Sequence, residues 1–342
     1  MTATRGVLIT GAAGFIGSNV ALSMLDAGST VITLDNYCNS DPDVIDQLRE
    51  IGGNRVVEYA GDVRDRALVE KILRTHSPDC VIHLAGLKSV EESRNDPLSY
   101  YAHNVSGTII LLQAMAATGV RRLVFSSSAT IYADESVPPF GEGSRTEPGS
   151  VYGRTKHCCE QILGAIADAD PTFSAVSLRY FNPLGSDASG TFGDAPRGRP
   201  NNLMPYLHKV ATGELPYLTI HGNDYPTEDG TGVRDFVHVS DVANGHRLAV
   251  EFTRGAVGHH AFNLGSGVGY SVLQVVSMFA RQSGRDIAWR LGKRRPGDRA
   301  VSIANTEMAR HVLGWHARRD LADMCKDAWN FMSKRATAST IT

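Results

Sequence analysis

Residues 11–17, Gly-Ala-Ala-Gly-Phe-Ile-Gly, constrain this chain more tightly than any other stretch. They follow the apolar run 6–10 and open a segment, 16–27, with helical periodicity. A glycine-rich turn between strand and helix lets backbone N–H groups and the helix N-terminus meet a pyrophosphate with no Cβ in the way. Alone, such a turn is weak evidence and suits a plain connection equally well. The second apolar run supplies the context, because it ends at Leu34-Asp35. A carboxylate at that distance accepts from the adenosine ribose hydroxyls and repels a 2′-phosphate, so NAD is the expected dinucleotide rather than NADP.

The turn heads a repeated pattern. Apolar runs at 6–10, 30–34, 55–59, 80–85, 123–127 and 173–179 alternate with helix-period segments at 16–27, 66–75, 101–118 and 152–167. The runs are continuous, as in strands covered on both faces, which predicts an α/β fold with a doubly wound parallel sheet of Rossmann type. Such sheets bind ligands outside the carboxyl ends of their strands. Beyond Asn182 the character changes: Gly, Pro, Asn and Asp crowd 183–235, too long an irregular stretch to be idle. The expected division is an NAD-binding domain over 1–182, rejoined by parts of 236–267 with a short strand at 260–264, and a smaller α/β substrate-binding region over 183–342. A last helix is expected over 321–332, followed by a small, polar tail that frays.

Composition removes other classes. The chain has 342 residues, 42% of them hydrophobic, enough for a substantial core, and its formal net charge of -2 gives no reason to expect nucleic acid or an acidic membrane surface. No apolar run reaches the length a bilayer requires. The first strand begins almost at once, at Val7-Leu8-Ile9, with no basic-then-apolar leader, so a cytoplasmic location is the default expectation. Cys38, Cys80, Cys158, Cys159 and Cys325 lack the paired spacing of a zinc site and read as reduced thiols. His259-His260 lacks the helical i, i+4 spacing of a metal site, and no metal is expected.

Tyr152 and Lys156 lie four residues apart on one predicted helix and so share a face. A nearby ammonium stabilises phenolate and lowers a tyrosine pKa from ~10 towards neutrality, where it acts as a base. Chance produces such pairs often. Phe125-Ser126-Ser127-Ser128 adds a third group at a strand end, where a hydroxyl can reach a reacting oxygen, although a serine-rich strand end is otherwise a plain turn. Gly61-Asp62-Val63 closes the third strand; an aspartate there accepts from the adenine amino group or simply turns the chain. Ala85-Gly86-Leu87-Lys88 closes the fourth, with residues small enough to pass close to a cofactor.

With these groups in place a family is recognisable. The chain resembles the extended short-chain dehydrogenases and, within them, the UDP-glucose 4-epimerases, almost to its end. The resemblance rests on Leu-Asp-Asn-Tyr-Cys-Asn-Ser at 34–40, His-Leu-Ala-Gly-Leu-Lys at 83–88 and Ser-Ser-Ser-Ala-Thr at 126–130. It continues with Leu-Arg-Tyr-Phe-Asn-Pro at 178–183, Asn-Asn-Leu-Met-Pro at 201–205 and Gly-Asn-Asp-Tyr-Pro-Thr-Glu-Asp-Gly-Thr-Gly-Val-Arg-Asp at 222–235.

The resemblance implies an isomerase that oxidises carbon 4 of a UDP-hexose with tightly held NAD. The 4-keto sugar then turns over and is reduced on its other face, interconverting UDP-glucose and UDP-galactose. It implies Tyr152 as the base on the 4-hydroxyl, Ser128 bonded to the same oxygen, and Lys156 on the nicotinamide ribose. It assigns NAD to Gly11, Gly14, Phe15, Ile16, Gly17, Asp35, Asn36, Asn39, Ser40, Asp62, Val63, Leu84, Ala85, Gly86, Lys88, Asn104, Ser126 and Tyr180, together with Tyr152 and Lys156. It assigns the UDP-sugar to Lys88, Phe181, Asn182, Asn202, Leu203, Thr219, His221, Arg234, Arg295, Asp298 and Ser302, together with Ser128 and Tyr152. A homodimer through 101–118 and 152–167 is the implied assembly, with neither nucleic acid nor membrane as a partner.

Related readings stay open. Dehydratases and decarboxylases acting on nucleotide sugars begin with the same oxidation, but carry an acidic residue just after the serine or threonine. Ala129 and Thr130 stand there. A non-catalytic NAD-binding regulator shares the fold, yet has no use for an activated phenol. Lys293-Arg294-Arg295 reads as a solvated face or, with Asp298 close by, as a grip on phosphate and ribose. Three departures matter: His221 where the family commonly has an aromatic on uracil, Leu84 where an aromatic is common, and Ser302 where strict glucose/galactose enzymes often carry tyrosine. A small residue at 302 enlarges the pocket, so 2-acetamido sugars (UDP-GlcNAc and UDP-GalNAc) are expected as additional substrates.

Overall fold

The computed structural model describes residues 6–197, 200, 202–295 and 297–341, with side chains as far as Arg335. Gly198, Arg199, Asn201 and Pro296, which belong to stretches singled out above, lie outside the described residues. The first part of the chain supplies β1 (Gly6–Thr10), α1 (Phe15–Asp26), β2 (Thr30–Asp35), α2 (Asp43–Gly52), β3 (Val56–Ala60), α3 (Arg66–His76) and β4 (Cys80–His83). Then come α4 (Val90–Asn95), α5 (Pro97–Tyr100), α6 (Gly107–Thr118), β5 (Arg122–Ser128), α7 (Val151–Ala169) and β6 (Ser174–Tyr180). The second part adds β7 (Asn182–Leu184), α8 (Leu203–Ala211), β8 (Leu218–His221), β9 (Val233–His238), α9 (Val239–Phe252), β10 (Gly258–Leu264) and β11 (Gly269–Ser271). It finishes with α10 (Val272–Ser283), β12 (Trp289–Gly292), β13 (Val301–Ser302), α11 (Glu307–Leu313) and α12 (Leu321–Ile341).

Seven parallel strands form the main sheet in the order β10-β6-β5-β4-β1-β2-β3. The order reverses between β1 and β4, the switch point at which such sheets open a crevice for ligand. Alternate residues of β1 serve opposite faces, which is why its apolar run is unbroken. Val7 and Ile9 belong to the layer of α1 and α9 with Val20, Met24, Val242 and Val250. Leu8 belongs to the layer of α3, α6 and α7 with Ile72, Leu111, Met115 and Leu163. A second core gathers Met204, Leu207, Phe236, Val275, Phe279 and Met324 from α8, β9, α10 and α12. There β9 is flanked by fragments: β11 antiparallel, β13 and β7 parallel. The pair β8–β12 stands apart.

Two elements differ from expectation. The helix read over 101–118 starts earlier, because Asp96 caps α5 with Pro97 at its first position, and its first six residues, Tyr101–Ser106, form a π-turn that runs into α6. The wide turn carries Asn104 into the interior, where it is 3% exposed. At the other end α12 continues to Ile341 instead of stopping near residue 332. Among the described residues no helix is long and apolar enough to cross a membrane.

Candidate active site

The sequence groups singled out in the first half all lie at the carboxyl ends of the main-sheet strands. Gly11 turns the chain at the end of β1 with φ 74°, and a Cβ on it would lie 2.7 Å from the backbone nitrogen of Ala85. Gly17 is equally closed to a side chain, its Cβ position falling 2.1 Å from the Gly11 carbonyl oxygen. Gly14 is different. It has an ordinary φ of -74°, and a Cβ would meet the protein only at 3.4 Å. Nothing in the protein demands glycine there; what the missing side chain keeps clear is the approach to the N-terminus of α1, which has no side-chain cap. That is the fit a pyrophosphate requires. At the end of β2, Asp35 Oδ2 accepts from Ala13 N at 2.9 Å, while Oδ1 accepts from Tyr37 N at 2.9 Å and Ser40 Oγ at 3.1 Å. These bonds fix the carboxylate and leave Oδ2 with acceptor capacity for a ribose hydroxyl. Asp62 accepts from Asn36 Nδ2 at 2.9 Å and from both ends of the Arg64 guanidinium at 2.8 Å, which hold its carboxyl well below the usual carboxylate range.

Asn104 clamps the loop after β4. Its Oδ1 accepts from Leu87 N at 2.8 Å, and its Nδ2 donates to Leu87 O and Thr155 Oγ1 at 3.0 Å each. Below it, buried His83 bridges Thr10 Oγ1 at 2.7 Å and Thr108 Oγ1 at 3.1 Å. Lys156, 4% exposed, donates to the Ser126 carbonyl at 2.7 Å and lies 6.0 Å from the centre of the Tyr152 ring. Burial lowers its pKa to about 8, against the opposing charges of Cys159 and Glu160. Burial pushes the Tyr152 phenol up to about 12, and the neighbouring Ser128 side chain lowers it against that rise. Tyr180, at the end of β6, meets buried His246 at 2.5 Å. Beneath the serines a buried ion pair, Arg179 Nη2 to Glu160 Oε2 at 2.7 Å, joins β6 to α7.

The second half brings a separate set together. Arg234 lies on β9 in register with Ser302 on β13 and 3.8 Å from Asp298. Burial lowers its pKa, opposed by Asp298, and Arg295 and Arg299 share the neighbourhood. His221, at the end of β8, pairs with Gly292 of β12 and meets the Lys293 carbonyl at 3.1 Å, while Thr219 pairs with Arg290. Arg294 pairs with Asp224 at 2.6 Å and lies over the Tyr225 ring at 4.1 Å. Asn202 stands at the uncapped N-terminus of α8 ahead of Leu203, and its Nδ2 donates to Asp194 Oδ2 at 2.7 Å. Asp194 also reaches Lys88, at 3.6 Å, and so ties the two halves across the cleft. Phe181 and Asn182 occupy the junction, following β6 into β7.

A family profile described as NAD dependent epimerase/dehydratase matches residues 7–265. The chain belongs to that family. The UDP-glucose 4-epimerase of Yersinia pestis is 47% identical over 329 residues, spanning 96% of this chain and 97% of that protein. The crystal structure of UDP-glucose 4-epimerase from Stenotrophomonas maltophila, with bound NAD and formylated UDP-arabinopyranose, superposes with a TM-score of 0.95 at 44% identity, covering 98% of this chain and 99% of its own. The enzyme from Bifidobacterium longum in complex with NAD+ and UDP superposes with a TM-score of 0.93 at 42% identity, covering 97% and 99%. Family membership makes NAD the cofactor, and the residues around Gly14 and Asp35 fit it.

Within this family member, the residues expected around NAD gather at one strand edge, and Arg234, Arg295, Asp298 and Ser302 gather at another. Asp194, Thr130 and Arg299 were not singled out from sequence. Asp194 falls in the irregular stretch 183–235, read there only as a functional loop. Thr130 figured only as a position without a carboxylate, although its hydroxyl meets Ser128. Arg299 pairs with Asp134 at 2.9 Å.

Proposed function

We propose that this chain is a UDP-glucose 4-epimerase, interconverting UDP-glucose and UDP-galactose through a 4-keto sugar. The observation that carries the reading is Ser128 at the end of β5, in the neighbourhood of Tyr152 and followed by Ala129 and Thr130 with no carboxylate. An elimination or decarboxylation needs a second acid or base beside that centre, and none follows the serine. In this reading Tyr152 accepts the proton of the sugar 4-hydroxyl and later returns it, Ser128 donates to the same oxygen, and Lys156 holds the nicotinamide ribose. When bound, NAD supplies the two-electron acceptor at carbon 4 and then the donor that restores it. Gly11, Gly14, Gly17 and Asp35 hold the dinucleotide. Arg234, Arg295, Asp298 and Asn202 anchor UDP, so remote binding energy retains the intermediate while the sugar turns over. The division near residue 182, cofactor on one side and UDP-sugar on the other, belongs to the same reading.

Purified protein given UDP-galactose and no added NAD should produce UDP-glucose. A released 4-keto-6-deoxy sugar or pentose, or no turnover even with added NAD, overturns the assignment. Ser302 extends the reading to acetamido sugars: wild type should also turn over UDP-GlcNAc, and Ser302→Tyr should suppress that activity while sparing UDP-glucose. No acetamido turnover by wild type removes this extension alone. We also propose a homodimer through 101–118 and 152–167, the π-turn with α6 and α7, where Tyr101 and Ile109 are exposed and Leu98 just ahead of them is 80% exposed. Light scattering at the mass of one 36.9 kDa chain would contradict it.

A further inference from the structure

We infer that Thr130 is a positioning residue for this reaction, fixing the Ser128 hydroxyl as a hydrogen-bond donor towards Tyr152 and the sugar oxygen. The inference rests on the epimerase reading. Ser128 ends β5 in extended conformation (φ -152°, ψ 147°) and leads directly into a single 3-10 turn, Ala129–Ile131. Two donors from Thr130 converge on its side chain: the backbone N–H at 3.2 Å and the hydroxyl Oγ1 at 3.0 Å. A serine hydroxyl has two acceptor lone pairs and one proton. With both lone pairs engaged, the proton is what Ser128 has left to offer Tyr152 and the sugar oxygen.

Direction matters here because the two possible bonds act oppositely on a base. A serine that donates to the tyrosine oxygen favours phenolate; one that accepts from the phenol favours the neutral form. With both lone pairs taken by Thr130, Ser128 is left to act in the first sense, against the rise that burial imposes on Tyr152. The Thr130 hydroxyl blocks the second sense by occupying the lone pair a phenol would otherwise use. The other titratable groups facing Tyr152 are Lys156 on its own helix and Tyr180 from β6, and a change at residue 130 alters neither.

The spacing of these groups is locked from both sides. Gly153 follows Tyr152 on α7, and a Cβ there would lie 2.6 Å from the Thr130 carbonyl oxygen and 2.8 Å from Pro148 Cβ. The first turn of α7 is therefore seated directly on the Thr130 turn. Ser150 caps that helix by accepting from Gly153 N at 3.0 Å, and Tyr152 N donates to Ser93 Oγ of α4 at 3.2 Å. Holding the turn together needs only the Thr130 backbone N–H. The hydroxyl is additional, and its effect can be separated.

The test compares Thr130→Val, which keeps shape and N–H, with Thr130→Ser, which keeps the hydroxyl, each in wild type and in a Ser128→Ala background. Thr130→Val should lower kcat for UDP-galactose about fivefold with KM little changed. It should also move the pH at which kcat rises upward by roughly half a unit. Thr130→Ser should restore both. In the Ser128→Ala background Thr130→Val should add nothing, since the hydroxyl it orients is gone. The tyrosinate absorbance difference between each protein and its Tyr152→Phe counterpart should shift in step, a readout that needs no turnover. An unchanged pH profile and absorbance titration for Thr130→Val, or a loss of equal size with Ser128 absent, overturns the positioning role. Absence of wild-type turnover strikes the epimerase reading instead, and the absorbance titration still decides the role of Thr130.

Discussion

The two sides of the cleft are prepared to different degrees. On the NAD side, Asp35, Asn104 and Lys156 are nearly inaccessible, at 8%, 3% and 4% exposure, and each is held by bonds within the protein. On the UDP side the expected ligands Arg234 and Asp298 are partly solvated and in looser contact, 3.8 Å apart, and Lys88 reaches Asp194 only at 3.6 Å. A preorganised site binds tightly because little ordering remains to be done, whereas a site closed by arginines and lysines forms around its ligand. For a reaction in which the cofactor stays and sugars come and go, that asymmetry is the useful one. It also says where substitutions should act: on the chemical step along one edge, on affinity along the other.

The sharpest challenge to this contrast is Tyr152→Phe. It should lower kcat by roughly 10²–10⁴-fold, while cofactor absorbance in the purified protein stays at the wild-type level. Near-normal turnover removes Tyr152 from the chemistry, and loss of cofactor makes it a binding residue instead. Arg234→Ala tests the opposite edge. Losing a charge-assisted contact to UDP should raise KM roughly tenfold to a hundredfold, with kcat at saturation falling far less. A fall in kcat as large as the rise in KM would erase the distinction. The mildest expected effect near neutral pH comes from histidines buried on both sides. Burial holds His83 and His238 at about 3 and His246 at about 4, against 6.5 in an unfolded chain. They are neutral in the fold, so stability is full above pH 6.5 and declines as pH falls towards those values, when the unfolded chain takes up protons first. Thermal midpoints should drop progressively from pH 6.5 to 5, in wild type and Tyr152→Phe alike. A flat profile would contradict the burial of these rings.

Much of the NAD side was legible because its determinants are local. A glycine turn, a strand-ending aspartate and a tyrosine–lysine spacing are short patterns, each ambiguous alone, that acquire one chemical meaning in combination. Asn104 illustrates the limit. Its place in the core depends on a π-turn, and the apolar pattern over 101–118 reads through that turn as one helix. Thr130 was legible as a residue type, but not the fact that its hydroxyl meets Ser128. The UDP side was harder throughout. The sheet around β9 draws on β7, β11 and β13, fragments of three residues or fewer, too short for any periodicity to register. Arg234, Arg295, Asp298 and Ser302 could be gathered only by resemblance, since contacts made across many intervening residues leave no trace in the spacing.

β10 carries a consequence for how the chain comes to be folded at all. It pairs with β6 along its whole length, Gly258 against Ser174 through Leu264 against Tyr180. The stretch that leaves the sheet after Tyr180 must therefore return before the sheet has its last strand. Contacts this distant in sequence slow folding, because the intervening loop must be closed before they form. During synthesis β6 waits as an open edge, able to pair with the wrong partner, until Leu264 has left the ribosome. Cutting the chain after residue 182 would leave that edge permanently bare, so the NAD-binding part is not a module that can be excised.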